Sequence, residues 1–149
     1  LAVRVEKHCD NAELIVDFLE QHHAVNEVRY PFSKSHPQYE IAKKQMKRGG
    51  NIIAFEVKGG LKGGQRFLNQ IKLCSLSSNL GDTRSIVTQP ASTTHSKLSA
   101  EERQAVQITD GLIRISVGLE AVEDVIDDLN QALNVLSRAK SNKSYKNAF

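Results

Sequence analysis

The chain has 149 residues, a formal net charge of +3 at pH 7, 40% apolar residues and 25% charged ones. That length suits one domain, or one domain with an appended helix, and buries enough surface to fold without disulfide staples. The basic residues are spread out, with "KKQMKR" (43–48) as the one cluster, so a nucleic-acid-binding face is not expected, and no apolar run has the length of a membrane-spanning helix.

Cys9 and Cys74 form no C-x-x-C pair, and the five histidines (His8, His22, His23, His36, His95) show no zinc spacing. A metal site is therefore not expected. The expected setting is a reducing, cytoplasmic one.

In chain order, "LAVRVEKHCDNAELIVDFLEQHH" (1–23) places Leu1, Val5, Ala12, Ile15, Val16 and Leu19 on one helical face. No Ser, Thr, Asp or Asn cap precedes that periodicity, so the chain is expected to be a piece of a longer polypeptide. "AVNEVRYPF" (24–32) predicts a short strand stopped by Pro31. "QYEIAKKQM" (38–46) predicts a short helix ended by Gly49 and Gly50. "NIIAFEV" (51–57) is a continuous apolar run, and predicts a buried strand. "GGLKGGQRFLNQI" (59–71) predicts a helix with Leu68 and Ile71 inward. Strands are expected at 73–78 and 84–90, joined by a tight polar turn at "NLGD" (79–82).

Ser99 and Glu102 have the spacing of a capping box, which starts another helix. "GLIRISVGL" (111–119) predicts a strand. "EAVEDVIDDLNQALNVLSRAK" (120–140) predicts a long helix with a stripe of Val122, Val125, Ile126, Leu129, Leu133 and Leu136. Acidic residues crowd its start, and Arg138 and Lys140 its end, as the helix dipole prefers. The tail beyond it has no pattern and is expected to fray. Alternating short strands and helices predict an α/β or α+β layer, with helices packed on one sheet.

Three stretches could carry chemistry. "KGGLKGG" (58–64) lacks the G-x-x-x-x-G-K-[ST] of a phosphate loop and the G-x-G-x-x-G of a dinucleotide site, so it reads as a flexible turn. "SSNLGDTRS" (77–85) is a turn by propensity, at a strand end where α/β proteins place ligand contacts. "PASTTHSKLS" (90–99) gathers hydroxyls around His95, but sequence supplies no third partner for a catalytic triad.

Arg114 stands out. Ile113, Ile115, Val117 and Leu119 share the apolar face of its strand. Leu112, Arg114, Ser116 and Gly118 share the other, where the small residues leave room for something to lie. Pattern alone leaves two readings open. One is an edge-strand arginine, in solvent or paired with Asp110. The other is a bidentate clamp on a ligand carboxylate or phosphate, which the planar guanidinium suits.

"HPQYEIAKKQM…FEVKGG", "NLGDTRSIVTQPASTTHSKLSAEERQ" and "ITDGLIRISVGLEAVEDVIDDLNQAL" together resemble the C-terminal part of the Cys/Met-metabolism enzymes that depend on pyridoxal phosphate (PLP), over residues 1–133. The resemblance implies the fold type I architecture. Residues 1–23 would be a helix continuing from a large PLP-binding domain, residues 24–138 the C-terminal substrate-side domain, and residues 139–149 a frayed tail. That domain is expected to be a short-stranded, mainly antiparallel sheet covered by helices. The same resemblance implies that Arg114 grips the α-carboxylate of an amino-acid substrate and that the backbone at Asn79 contacts that carboxylate. Ser78 would face the side-chain end of the substrate, and Thr94 would lie near the entrance. The PLP lysine is expected upstream, so this chain alone should be inactive.

Within the family, the motifs are most similar to the sulfhydrylases that replace the acyl group of an O-acylhomoserine by sulfide, with O-succinylhomoserine ahead of O-acetylhomoserine. Cystathionine γ-synthase and methionine γ-lyase chemistry are the alternatives. The resemblance also implies a homotetramer for the full-length enzyme. A free-standing α+β module that binds a small ligand is the expectation of another class.

Overall fold

The computed structural model describes residues 1–138. Helix α1 (Ala2–Gln21) leads to strand β1 (Val25–Arg29), followed by α2 (Tyr39–Gln45), β2 (Ile52–Val57), α3 (Gly60–Leu68), β3 (Ser75–Leu76), β4 (Ile86–Thr88), α4 (Ala100–Ala105), β5 (Leu112–Ser116) and α5 (Val122–Arg138). The strands form one sheet in the order β1-β2-β5-β4-β3. The β1–β2, β2–β5 and β4–β5 pairs are antiparallel, and β3–β4 is parallel. The expected class, a mainly antiparallel sheet covered by helices, is the one observed. The tail at 139–149, expected to fray, lies outside the described residues.

Register explains which face is the core. Phe55 pairs with Val28 and Ile113, and Ile115 with Ile53 and Val87, so these apolar side chains point the same way. Against them pack Ala12, Ile15, Val16 and Leu19 of α1, Phe67 of α3, and Val125, Leu129 and Leu133 of α5. Phe67 meets Phe55 edge-on, with ring centroids 5.8 Å apart. Ser99 accepts from the Glu102 amide while Glu102 returns a bond to the Ser99 amide, so the expected capping box starts α4.

Several expectations are corrected. Leu1 and Val5 do not join the core: Leu1 is 97% exposed and Val5 45%. That half of α1 lies over polar backbone at the end of β5, and its buried residues are His8, Cys9 and Asn11. In α3 the inward residue is Phe67, and Leu68 and Ile71 only flank the core. Strand β2 alternates buried and half-buried positions rather than being buried on both faces.

The strand expected over 73–78 shrinks to Ser75–Leu76. The Asp128 carboxylate on α5 takes the amides of Lys72, Leu73 and Cys74, at 2.9, 2.9 and 3.1 Å, before they can enter a ladder. "NLGD" is not a tight hairpin turn, because β3 and β4 run parallel and residues 77–85 loop back across the sheet. A parallel connection this short is possible because β3 is so short. The chain has only about 7 Å of strand to retrace, at about 3.3 Å per residue.

The glycines of "KGGLKGG" have packing roles. A Cβ on Gly63 would lie 2.1 Å from the Lys58 carbonyl oxygen, and one on Gly64 would lie 2.2 Å from Gln89 Nε2. Helix α3 therefore sits tight against its neighbours at these two residues.

A candidate carboxylate-binding site around Arg114

Arg114 lies in β5, the central strand, opposite Ala54 on one side and Thr88 on the other. It is not an edge-strand arginine. Nor does it pair with Asp110, whose carboxylate is held by Arg103 Nη2 at 2.9 Å. Its side chain rises on the face away from the core. Nη2 donates to the carbonyl oxygens of Ser78 at 2.8 Å and Asn79 at 3.0 Å. Nε is buried and has no hydrogen-bond partner among the described residues. Half of the guanidinium thus organises a loop, and a charged donor is left over.

The room expected around Ser116 and Gly118 is filled by the chain itself. The Ser116 hydroxyl accepts from the Gly81 amide at 2.9 Å and from Asn51 Nδ2 at 3.3 Å. A Cβ on Gly118 would fall 2.5 Å from the Arg84 carbonyl carbon and 2.3 Å from a Glu120 carboxylate oxygen. Glu120 in turn accepts from the Ser85 amide at 2.6 Å and the Ser85 hydroxyl at 3.0 Å. The small side chains therefore admit loop 77–85, which brings Ser78 and Asn79 to Arg114. Both residues are exposed, and they touch Arg114 through backbone carbonyls alone. The Arg84 guanidinium beside Asp82 holds its carboxyl well below the usual carboxylate range, and Asp82 Oδ1 accepts from the Arg84 amide at 3.1 Å within the loop.

Thr94 is not brought onto Arg114 by any described contact. It is exposed, and its hydroxyl lies 2.8 Å from His95 Nδ1. The link between its loop and Arg114 is Thr88, which was not singled out from the sequence. Thr88 is Arg114's partner across β4–β5, and its hydroxyl lies 3.0 Å from that of Thr93, which donates to the Gln89 carbonyl at 2.8 Å. Gln89, fully buried, uses its side-chain nitrogen to hold the carbonyls of Leu61 and Asp110 at 3.1 and 2.8 Å. Only the β4–β5 register reveals Thr88, since nothing in "RSIVTQP" marks it.

This face of the α/β fold thus carries one arginine whose buried Nε has no partner among the described residues, beside the backbone carbonyls of Ser78 and Asn79. Among the described residues no group of three or more His, Cys, Asp or Glu side chains could hold a metal ion, and no helix is long and apolar enough to cross a membrane.

Residues 1–134 match the family described as Cys/Met metabolism PLP-dependent enzyme, and the chain belongs to that family. It is 56% identical over 131 residues to an L-methionine gamma-lyase of Fusobacterium nucleatum, covering 88% of this chain and 33% of that protein. It is 52% identical over 136 residues to an L-methionine gamma-lyase of Porphyromonas gingivalis, covering 91% and 34%. A crystal structure of a putative O-acetylhomoserine (thiol)-lyase from Campylobacter jejuni, which carries a pyridoxyl-lysine, superposes with a TM-score of 0.84 at 41% identity, covering 89% of this chain and 32% of that one. The chain thus spans about a third of the length of the curated relatives it matches.

The family depends on PLP. The residues described here do not fit that group. The space beside Gly63 and Gly64, where a phosphate could have been cradled, is filled by the Lys58 carbonyl and the Gln89 side chain.

Proposed function

We propose that this chain supplies the substrate-carboxylate side of a PLP-dependent enzyme that acts at the γ-carbon of an L-amino acid. The observation that carries the reading is the unpartnered, buried Nε–H of Arg114 beside an Nη2 already fixed by two carbonyls. An unsatisfied charged donor is costly. A ligand carboxylate removes that cost through a charge-assisted pair whose geometry is already set. Asn79 would present backbone to the same carboxylate, Ser78 would border the side-chain end of the substrate, and Thr94 would stand at the entrance. The PLP, which supplies the electron sink when bound, would be held by polypeptide outside this chain, so the isolated chain should show no turnover.

Two reactions compete. The relatives at 52–56% identity are named methionine gamma-lyases, which favours γ-elimination from methionine. Replacement of the acyl group of O-acetyl- or O-succinylhomoserine by sulfide is the second reading. It is favoured by the likeness to the thiol-lyase structure and by the uncharged Ser78, which offers no carboxylate to the distal amino group of cystathionine. The enzyme that contains this chain would be a homotetramer. The two buried, free cysteines support a reducing, cytoplasmic setting.

Assays of that enzyme with methionine alone, and with each O-acylhomoserine plus sulfide, separate the two reactions. With the preferred substrate, Arg114→Ala should lower kcat/KM by about 30- to 5000-fold, the loss for one partner of a shielded charge pair. Unchanged kinetics would remove the clamp.

A further inference from the structure

We infer that Arg4, in the first turns of α1, is a positioning residue for the loop that carries Ser78 and Asn79. The inference rests on the proposed function, and it adds a residue from an element that does not itself reach Arg114.

Three side chains from outside the loop hold its apex at residues 78–81, each on backbone, while Glu120 holds its end at the Ser85 amide. Arg114 takes the carbonyls of Ser78 and Asn79, the Ser116 hydroxyl takes the Gly81 amide, and Arg4 Nη2 donates to the Gly81 carbonyl at 2.8 Å. Packing contributes little at the apex. Ser78, Asn79, Leu80 and Gly81 are exposed, Gly81 has a φ of +79°, and nothing lies within 4 Å of where its Cβ would be. A segment held mainly by a few hydrogen bonds belongs to the least stable part of a fold. Each bond therefore weighs on where the loop sits.

Arg4 is itself aimed. His8, 5% exposed, places Nδ1 2.6 Å from the Val117 carbonyl oxygen, so that nitrogen donates. Nε2 is then the acceptor, and Arg4 Nε donates to it at 3.4 Å. One turn on, Asn11 Nδ2 donates to the carbonyls of Gly118 and Glu120 at 3.2 and 2.9 Å. Arg4, His8 and Asn11 thus fasten α1 to the end of β5 and to the loop together. Displacement of α1 relative to the sheet moves the Gly81 carbonyl, and through it the backbone at Asn79. Ahead of Ala12 the one buried apolar residue of α1 is Cys9, so this part of the helix relies mainly on polar contacts.

The test uses the PLP-loaded enzyme that contains this chain, with Arg4→Met, which keeps the stem, and Arg4→Lys, which keeps the charge. Amide hydrogen exchange is read over residues 77–83 and over β1, alongside KM and kcat for the amino-acid substrate. Arg4→Met should speed exchange at 77–83 alone and raise KM about tenfold, with kcat within about twofold, and Arg4→Lys should restore most of both. Unchanged exchange at 77–83, or faster exchange across β1 as well, overturns the inference. So does faster loop exchange with unchanged KM where Arg114→Lys raises KM. If Arg114→Lys also leaves KM unchanged, the proposed function itself fails, and the Arg4 role fails with it.

Discussion

Arg114 Nη2 lies 2.8 Å from the carbonyl oxygen of Ser78, so the arginine expected to receive a ligand also shapes the loop beside it. One guanidinium does both because its donors point along different edges. Nη2 faces the loop, and Nε remains without a partner. Substitution should therefore have two effects. Arg114→Lys keeps a charge but not the planar fork. It should raise KM for the amino acid and also speed hydrogen exchange at residues 78–81, measured on the same preparation. A rise in KM with no change in exchange would separate the two roles.

The Asp128 carboxylate should make a pH-dependent contribution to stability. It is 6% exposed, and burial alone would raise its pKa, but the amides of Cys74, Lys72 and Leu73 and the Gln131 side chain hold it below the usual carboxylate range. A group whose folded pKa is depressed stabilises above its unfolded pKa of about 3.9 and loses that contribution as pH falls through the folded value. Asp128→Ala leaves three amides facing no acceptor and should cost about 2–4 kcal/mol at neutral pH. Denaturant midpoints of wild type and Asp128→Asn, measured from pH 7 to pH 3, should converge as the pH falls below about 4.

Cys74 should be inert in the native protein. Burial pushes its thiol well above the ordinary range, and the nearby Asp128 and Glu120 charges add to the effect. The thiolate is the reactive form. A thiol reagent at pH 8 should label Cys74 only on unfolding, as read by peptide mass.

Gly63 and Gly64 should not tolerate a methyl group. The Cβ of Gly63→Ala would meet the Lys58 carbonyl, a backbone atom, whereas that of Gly64→Ala would meet the movable Gln89 amide. Both should destabilise, by about 1–3 kcal/mol for overpacking, with Gly63→Ala the worse, in thermal unfolding. Equal melting temperatures for wild type and both variants would remove the packing role of "KGGLKGG".

The legible parts of the chain were those where one local signal sufficed. The stripe of α5 from Val122 to Leu133, the capping box at Ser99 and Glu102, and the apolar face of β5 at Ile113 and Ile115, continued by Val117 just after it, are all where periodicity and spacing put them. The rest depended on partners distant in sequence. Strand β3 is short because Asp128, 54 residues after Cys74, takes the amides of the residues just ahead of it. Ser116 and Gly118 are small to admit loop 77–85, whose backbone cannot be foreseen from the strand. Thr88 and Arg4 carry no motif, and their relation to Arg114 arises only through register and helix packing. Arg114 itself was conspicuous as a cation in an apolar run, yet its central position in the sheet needed the strand order.

A crystal structure of the PLP-loaded enzyme that contains this chain, with a γ-substituted L-amino-acid analogue bound, tests the central claim most directly. The account predicts an α-carboxylate oxygen about 2.7–2.9 Å from Arg114 Nε, with the Nη2 bonds to Ser78 and Asn79 retained. A carboxylate bound elsewhere, with Arg114 Nε still unpartnered, would contradict it.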